Sequence, residues 1–589
     1  MSQPRSGRRS LRGASLVRLR VALVVIAMVL SVFGARLFQL QGIDPQSYAA
    51  KAASMGLVKA VLPADRGEIV DRNGEPLAES VSGLMIVADP TRTRDHAEAI
   101  ARILADRLHL DYFDLLDRLT APHTRFQYIA RRVPSTLATA VVGEIDAKGW
   151  TGLDTRRDPL RVYPAGDVAA NLLGFINDEG KPAGGLEQAF QQQLAGKDGY
   201  EAYEVGDGNK IPLGQNTQVN PVNGKDVRLT IDRDVQWYAQ RVLRTAVHNA
   251  RADSGAAIAL DSRTGEVLAL ADYPTFDANH GSQASPSEWG SHALSDVYEP
   301  GSVEKVLTTS ALINQGRVGP RTKIAVPGSL RVADRTIHDY WPHGRIHLTL
   351  AGVIAKSSNI GTVLAARKIG APKLWSYLRA FGLGQRTGVG VPGESAGILA
   401  PPASWGRVQK ANIAFGQGVS VNALQMAAAI NTVANKGEYV SPSLVKGHAR
   451  TASGQLVGTD ETTRRRVLTR ATASKEARMM EMVVTEGKGT APAAAIQGYR
   501  VAGKTGTAQE VGGACNCYAQ GGYDVSFAGF APADNPRFTV YVVIKHPRIA
   551  GAGGGATAGP VFRQILNYLL QKYAVPPTGT KPANLPVEW

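Results

Sequence analysis

Tyr298-Glu299-Pro300-Gly301-Ser302-Val303-Glu304-Lys305 is the stretch on which the reading of this chain turns. Pro300 and Gly301 stop any helix arriving from upstream. Val303, Val306, Leu307, Ser310, Ala311 and Ile313 then recur at helical spacing until Gly316. Three residues apart on a helix, Ser302 and Lys305 share one face and lie close enough to hydrogen-bond. A serine hydroxyl is a poor nucleophile unless a base takes its proton. A lysine serves as that base only if burial or neighbours lower its pKa from about 10.4 towards roughly 7–8. Such a pair arises by chance in most chains of this length, so its meaning depends on partners elsewhere.

Two partners lie downstream. Lys356-Ser357-Ser358-Asn359 supplies a Ser-x-Asn, and Gly503-Lys504-Thr505-Gly506-Thr507 a Lys-Thr-Gly-Thr. Together the three pieces resemble the signature of penicillin-binding proteins and class A β-lactamases. In the chemistry of such a site, Ser302 attacks a carbonyl and Lys305 accepts its proton. Ser357 relays a proton between Lys305, Lys504 and the leaving amine, while Asn359 orients Lys305 and holds the substrate's amide. Lys504 with the hydroxyls of Thr505 and Thr507 forms a cationic cradle for a terminal carboxylate, and Gly506 lets the strand backbone approach the substrate. The backbone N–H groups of Ser302 and Thr507 would form the oxyanion hole, one such donor being worth about 10²–10³ in rate.

Three further matches fail on context. Gly498 to Thr505 fits the P-loop pattern, but Gly506, Gly512 and Gly513 would break the helix that a P-loop opens. Gly393-Glu394-Ser395-Ala396-Gly397 fits a nucleophile elbow, but Pro401 and Pro402 follow where a long helix is required. His338, His343 and His347 straddle Pro342 and Gly344, which do not hold three rings on one helical face. No metal site and no cofactor are expected. Cys515 and Cys517 form no second Cys pair, and either a strained local disulfide or free thiols fit them better than a metal.

At 589 residues the chain exceeds one ordinary core. The first 43 residues hold seven arginines and no acid, which leaves +9 of the formal +16 on the other 546. That remainder lacks Lys/Arg clusters interleaved with aromatics, so nucleic acid is not an expected partner; an anionic wall polymer fits better. The division expected from composition is a basic cytoplasmic tail (1–20), a transmembrane anchor (21–41), a mixed α/β pedestal (45–222), a catalytic α/β domain (223–572) and a disordered tail (573–589). Phe33-Gly34-Ala35 is a poor cleavage site, which favours an uncleaved anchor over a signal peptide. The arginines place the N-terminus inside and everything after the anchor outside the cell. Helical patterns lie around 95–118 and 136–147. Arg66-Gly67-Glu68-Ile69-Val70-Asp71-Arg72-Asn73-Gly74-Glu75-Pro76-Leu77 reads as two strands about an Asn-Gly turn, its charges forming a structural ion-pair network. Residues 256–270 read as a hairpin, 537–544 as a strand and 560–570 as a helix. Strands at both ends of the catalytic region, with helices between, imply a layered domain whose sheet is closed by both ends of the segment.

Across nearly its whole length the chain resembles the class B penicillin-binding proteins, and among them the septal D,D-transpeptidase type. Phe415-Gly416-Gln417-Gly418 and Ala502 to Ala508 add to the motifs above, and Cys515-Asn516-Cys517-Tyr518 is similar to the version in high-GC Gram-positive bacteria. The resemblance implies an antiparallel sheet flanked by helices, and a pedestal of the dimerisation type. It also implies a serine acyl-enzyme that cross-links D-Ala-D-Ala stem peptides at the septum and is inactivated by β-lactams. Divisome proteins, including a membrane glycosyltransferase, would be partners. An elongation-type transpeptidase, a β-lactamase and a β-lactam sensor are the alternatives. Two departures stand out: Glu304 before Lys305, which its helical position suggests points away, and Ser291-His292 where many members have Asn-Arg.

Overall fold

The computed structural model describes residues 12–39, 57–206, 209–210, 216–512 and 517–589. Cys515 lies outside them and only the backbone of Cys517 is described, so the pairing of the two cysteines is not addressed. Packing divides the chain into two compact units, residues 1–64 with 197–222 and residues 65–196 with 223–589.

The first unit carries helix α1 (Arg12–Phe38). Its apolar span is Leu16–Phe38, 23 residues with none of it buried, about 34 Å of helix and long enough to cross a bilayer. The helix thus begins before the expected Val21, because Arg18 and Arg20 carry no helix-breaking signal. In the same unit Leu57–Leu62 pairs antiparallel with Gly199–Gly206, which pairs in turn with Thr217–Val219.

In the second unit, residues 65–196 open with the expected turn. Gly74 has φ +96°, which glycine adopts without strain, and Asp71 accepts from the N–H groups of Asn73 (2.6 Å) and Glu75 (3.0 Å). The nearby charges find partners far away in sequence rather than one another. Arg66 and Arg161 clasp Glu187 (2.5 and 2.8 Å), which is fully buried, and Arg72 meets Glu266 at 3.2 Å. A three-stranded sheet, in the order 127–134, 83–88, 153–157, is backed by Ala97–Leu108, Tyr112–Leu119 and Ser135–Asp146, with Ile86, Ile100, Leu104, Leu119 and Ile145 at its centre. The expected long helix over 95–118 is two helices, broken where His109 turns left-handed at φ +55°.

Residues 223–589 are built on one antiparallel sheet. Helix α2 (Arg233–Asn249) is capped by Asp232, whose carboxylate accepts from Asp234 N and Val235 N. Strands β1 (Ser254–Asp261) and β2 (Val267–Tyr273) form the expected hairpin, with Ile258 opposite Leu270. Helices follow: α3 (Lys305–Asn314), α4 (Leu350–Ala355), α5 (Asn359–Ala366), α6 (Ala423–Ala434) and α7 (Arg470–Val484). The chain then returns as β3 (Ala502–Gly512), β4 (Cys517–Ala531) and β5 (Phe538–Lys545), and ends its regular structure with α8 (Gly559–Lys572). The sheet order is β2-β1-β5-β4-β3, so the first and last strands of the segment meet in the middle and β3 is an edge. Helices α2 and α8 pack together on the sheet, as do α6 and α7. Every residue of β1 from Gly255 onward is buried, as a strand covered on both faces must be.

The tail after α8 is ordered, contrary to its Pro-rich composition. Ala583 and Leu585 are buried, Ala583 N donates to Glu481 (3.1 Å), and Thr349 N donates to Val587 O (3.1 Å). Backbone hydrogen bonding to strand and helix ends, rather than an apolar core of its own, fixes this segment.

Glu187 is the only carboxylate that Arg66 and Arg161 pair with among the described residues. Its replacement by Ala leaves buried positive charge unpaired and should cost about 3–5 kcal/mol. Chemical denaturation that shows a loss under 1 kcal/mol would contradict this role.

Candidate active site

Three elements remote in sequence converge at the edge strand β3. The first is the loop before α3. Tyr298 exchanges backbone hydrogen bonds with Val421 (3.0 and 2.9 Å), Glu299 accepts from Gly418 N (2.7 Å), and Gly301 N donates to Gly416 O (3.0 Å). Gly301 has φ +54°, and a Cβ there would sit 2.9 Å from Thr507 O; a Cβ on Gly416 would sit 1.9 Å from Gly301 O. The Gly416-Gln417-Gly418 segment is therefore the backing of the Ser302 loop. Ser302 lies in a single 3₁₀ turn (Gly301–Val303) and is partly exposed.

Lys305, by contrast, is fully buried. Its Nζ donates to Ser357 O (2.6 Å) and Asn359 Oδ1 (2.7 Å), and reaches Ser357 Oγ at 3.4 Å. Burial lowers its pKa to about 7, against the opposing charges of Asp339 and Glu304. The expected Ser302–Lys305 hydrogen bond is not formed among the described residues. Ser302 belongs to the 3₁₀ turn rather than to α3, and the Ser357–Asn359 turn supplies the lysine's acceptors instead.

The second element is the turn between α4 and α5. Ser357 adopts φ +58°, a left-handed conformation that costs a non-glycine residue about 1–3 kcal/mol and persists only where its surroundings dictate it. The surroundings include Asp339, which sequence reading missed. It accepts from Ser358 Oγ (2.6 Å), Ile360 N (3.0 Å) and His343 Nε2 (3.0 Å). Asn359 Nδ2 donates to His338 O at 3.0 Å. No pattern links Asp339 to Ser358 nineteen residues later; only the fold does. Two of the three histidines thus brace this turn, and the His347 ring lies tilted against Trp589, with centroids 4.7 Å apart. No group of three or more His, Cys, Asp or Glu among the described residues is placed to hold a metal ion.

The third element is β3 itself. Lys504 is fully buried, and its Nζ donates to Ser357 Oγ (2.8 Å), Thr505 O (3.0 Å) and Thr505 Oγ1 (3.2 Å). Burial, then the charge of Lys305, pushes its pKa well below the ordinary lysine range. Lys504 therefore stands behind the expected cradle, turned to Ser357, and Thr507 is its exposed hydroxyl. Gly506 has a packing reason of its own: a Cβ would strike Ser526 Oγ at 2.1 Å and meet Val303 at 3.0 Å. Lys504 lies inside a strand, which excludes the P-loop reading, and Ser395 is followed by a 3₁₀ turn (Pro402–Ser404) rather than by an elbow's helix.

The two departures acquire partners. Glu304 points into the core, not into solvent: it is fully buried, its Oε1 accepts from Thr308 Oγ1 (2.8 Å), and its Oε2 has no hydrogen-bond partner among the described residues. Burial pushes its carboxyl well above the usual range, against the opposing effects of the Thr308 hydrogen bond and the Lys305 charge. Ser291 Oγ donates to the buried Asp272 (2.8 Å), and His292 meets Asp296 at 3.4 Å.

This sheet-and-helix frame with its Ser-x-x-Lys, Ser-x-Asn and Lys-Thr-Gly-Thr cleft defines a penicillin-binding acyl transferase. The family described as "Penicillin binding protein transpeptidase domain" matches residues 255–567, and "Penicillin-binding Protein dimerisation domain" matches residues 61–229; the chain belongs to the penicillin-binding proteins. It is 36% identical to penicillin-binding protein PbpB of Mycolicibacterium smegmatis, over 98% of this chain and 95% of that one. It is 31% identical to the peptidoglycan D,D-transpeptidase FtsI of Escherichia coli, over 96% and 93%. Penicillin-binding protein 3 of Mycobacterium tuberculosis, solved with aztreonam, superposes with a TM-score of 0.69 at 33% identity, covering 90% of this chain and all of that one.

If the neutral amine of Lys305 is the base, the burial that lowers its pKa to about 7 means that acylation by a penicillin should rise about tenfold per pH unit below about 7 and level off above it. A rate that climbs on past pH 9 would contradict the buried base.

Proposed function

We propose that this chain is the peptidoglycan D,D-transpeptidase of septal wall synthesis, with Ser302 as nucleophile. The observation that carries this reading is the meeting of Lys305 and Lys504 on Ser357 Oγ, at 3.4 and 2.8 Å, beside a partly exposed Ser302. Ser302 Oγ attacks the carbonyl carbon of the penultimate D-Ala of a stem peptide while its proton passes to Lys305 Nζ. The tetrahedral oxyanion is met by the N–H groups of Ser302 and Thr507. Its collapse breaks the amide, and the departing D-Ala amine takes a proton through Ser357 Oγ from the lysine pair. An amine of a second stem peptide then attacks the Ser302 ester and loses a proton to Lys305; the ester C–Oγ bond breaks as Lys305 returns that proton to Ser302 Oγ, which forms the cross-link and restores the hydroxyl.

Asn359 holds both Lys305 and the substrate amide. Thr505 and Thr507 receive the terminal carboxylate, with Lys504 behind them and Gly506 keeping the strand close to the Ser302 loop. A bound carboxylate brings negative charge beside Lys504 and so favours its ammonium. The M. tuberculosis relative is solved with aztreonam and with ampicillin, which supports β-lactams as acylating inhibitors here.

Helix α1 anchors the chain in the cell membrane. The arginine-rich N-terminus lies in the cytoplasm and residues after 41 lie on the outer face. Residues 45–222 form the pedestal, 223–572 the catalytic domain. Divisome proteins, among them a membrane glycosyltransferase, bind the pedestal. The septal assignment rests on likeness to the FtsI and PbpB proteins.

Intact mass of the full chain after incubation with penicillin tests the reading. One adduct lasting hours on the parent, and none on Ser302→Ala, is expected; rapid loss of the adduct would indicate a β-lactamase instead.

A further inference from the structure

The ordered tail ends against the segment that carries Ser357. Past Ala583 and Leu585, which pack on α7, Leu585 N donates to Met482 Sδ at 3.4 Å. Thr349 Oγ1 donates to Pro586 O (2.6 Å) and Thr349 N to Val587 O (3.1 Å). Glu588 bridges antiparallel to Leu348, and Trp589 donates from its backbone N to His347 O (3.1 Å) and from its indole to Leu348 O (3.0 Å). Lys356 Nζ stands 3.5 Å from Glu588 Oε1. The tail thus joins the strand 346–349 through a single β-bridge and its flanking hydrogen bonds, and reaches both ends of α4.

Helix α4 has six residues, too few to hold themselves helical. Thr349 is its N-cap, with Oγ1 accepting from Gly352 N at 3.0 Å. Lys356 is the residue after its last turn, directly before Ser357. Ser357 holds a costly left-handed conformation and offers both oxygens to the two buried lysines. Whatever fixes α4 therefore fixes the meeting point of Lys305 and Lys504. The tail does so at both ends, and through Glu481 and Met482 it also fixes α7, on which α4 packs. The fit is close: a Cβ on Gly352 would sit 1.8 Å from Val587 O.

We propose that residues 583–589 are a positioning strap for Ser357, required for acylation rather than for substrate binding; this rests on the reading of Ser302 as the acylated residue. A shift of about 1 Å in catalytic groups costs on the order of a hundredfold.

The test uses the full chain in detergent with a fluorescent penicillin. Rapid mixing separates the acylation rate constant from the dissociation constant of the initial complex, and the final adduct yield counts active molecules. A chain that stops after Pro582 should acylate about ten- to a hundredfold more slowly per active molecule, with the dissociation constant within about twofold of the parent's. Gly352→Ala pushes the strap off while raising helix propensity in α4. It should slow acylation to a similar degree in the full chain, and slow it no further in the shortened one. An unchanged acylation rate constant in either variant overturns the proposal, as does Gly352→Ala slowing both chains equally. If the shortened chain does not fold, Gly352→Ala with an unchanged rate still overturns it. A parent that forms no adduct overturns the reading of the site, and the strap with it.

Discussion

Two lysines share one serine hydroxyl inside a protein, and the catalytic half of the chain is arranged around that constraint. A hydroxyl offers one proton and two lone pairs, so Ser357 Oγ can accept from Lys504 while its own proton is available to a neutral Lys305. Two ammonium groups this close, both out of water, oppose each other's charge. Each lysine is accordingly given backbone or amide acceptors, Ser357 O and Asn359 Oδ1 for one and Thr505 O for the other. The outcome is a lysine whose pKa burial lowers to about 7, far below that of a solvent-exposed lysine.

Holding that arrangement needs elements that lie far apart in sequence. Lys305 and Ser357 are 52 residues apart, Ser357 and Lys504 147. The sheet solves the problem by closing early strands onto late ones, so that β3 becomes an edge facing the Ser302 loop. Small residues set the approach: Gly301 against Thr507, Gly416 against Gly301, Gly506 against Ser526. A side chain at any of these would separate parts that must touch. Behind the Ser-x-Asn turn, Asp339 gathers Ser358 Oγ, Ile360 N and His343, so the strained Ser357 is held from the side opposite the lysines.

Much of this was legible in the sequence, for a physical reason. Ser302, Lys305, Ser357, Asn359 and Lys504 sit in short segments whose turn and helix signals are local, and β1, β2 and β5 are apolar runs bounded by turns. What was not legible depends on tertiary partners. Asp339 has no local signature. Glu304 reads as a surface residue by its helical position, yet it is fully buried, and burial pushes its carboxyl well above the usual range. The tail reads as disordered from its prolines, yet its backbone finds the N–H and hydroxyl of Thr349 and the carbonyl of His347. Arg66 and Arg161 reveal their charge in the sequence but not Glu187 as their shared partner.

The claim at the centre is that Lys305 is neutral at the pH where the enzyme works. Its titration can be followed directly by NMR of chains labelled with ¹³C at the lysine ε-carbons, with the resonances of Lys305 and Lys504 assigned from single Met substitutions. The account requires Lys305 to titrate near pH 7. A midpoint near 10.5, the ordinary value for a lysine, would show that the buried site leaves its ammonium charged, and would contradict the account.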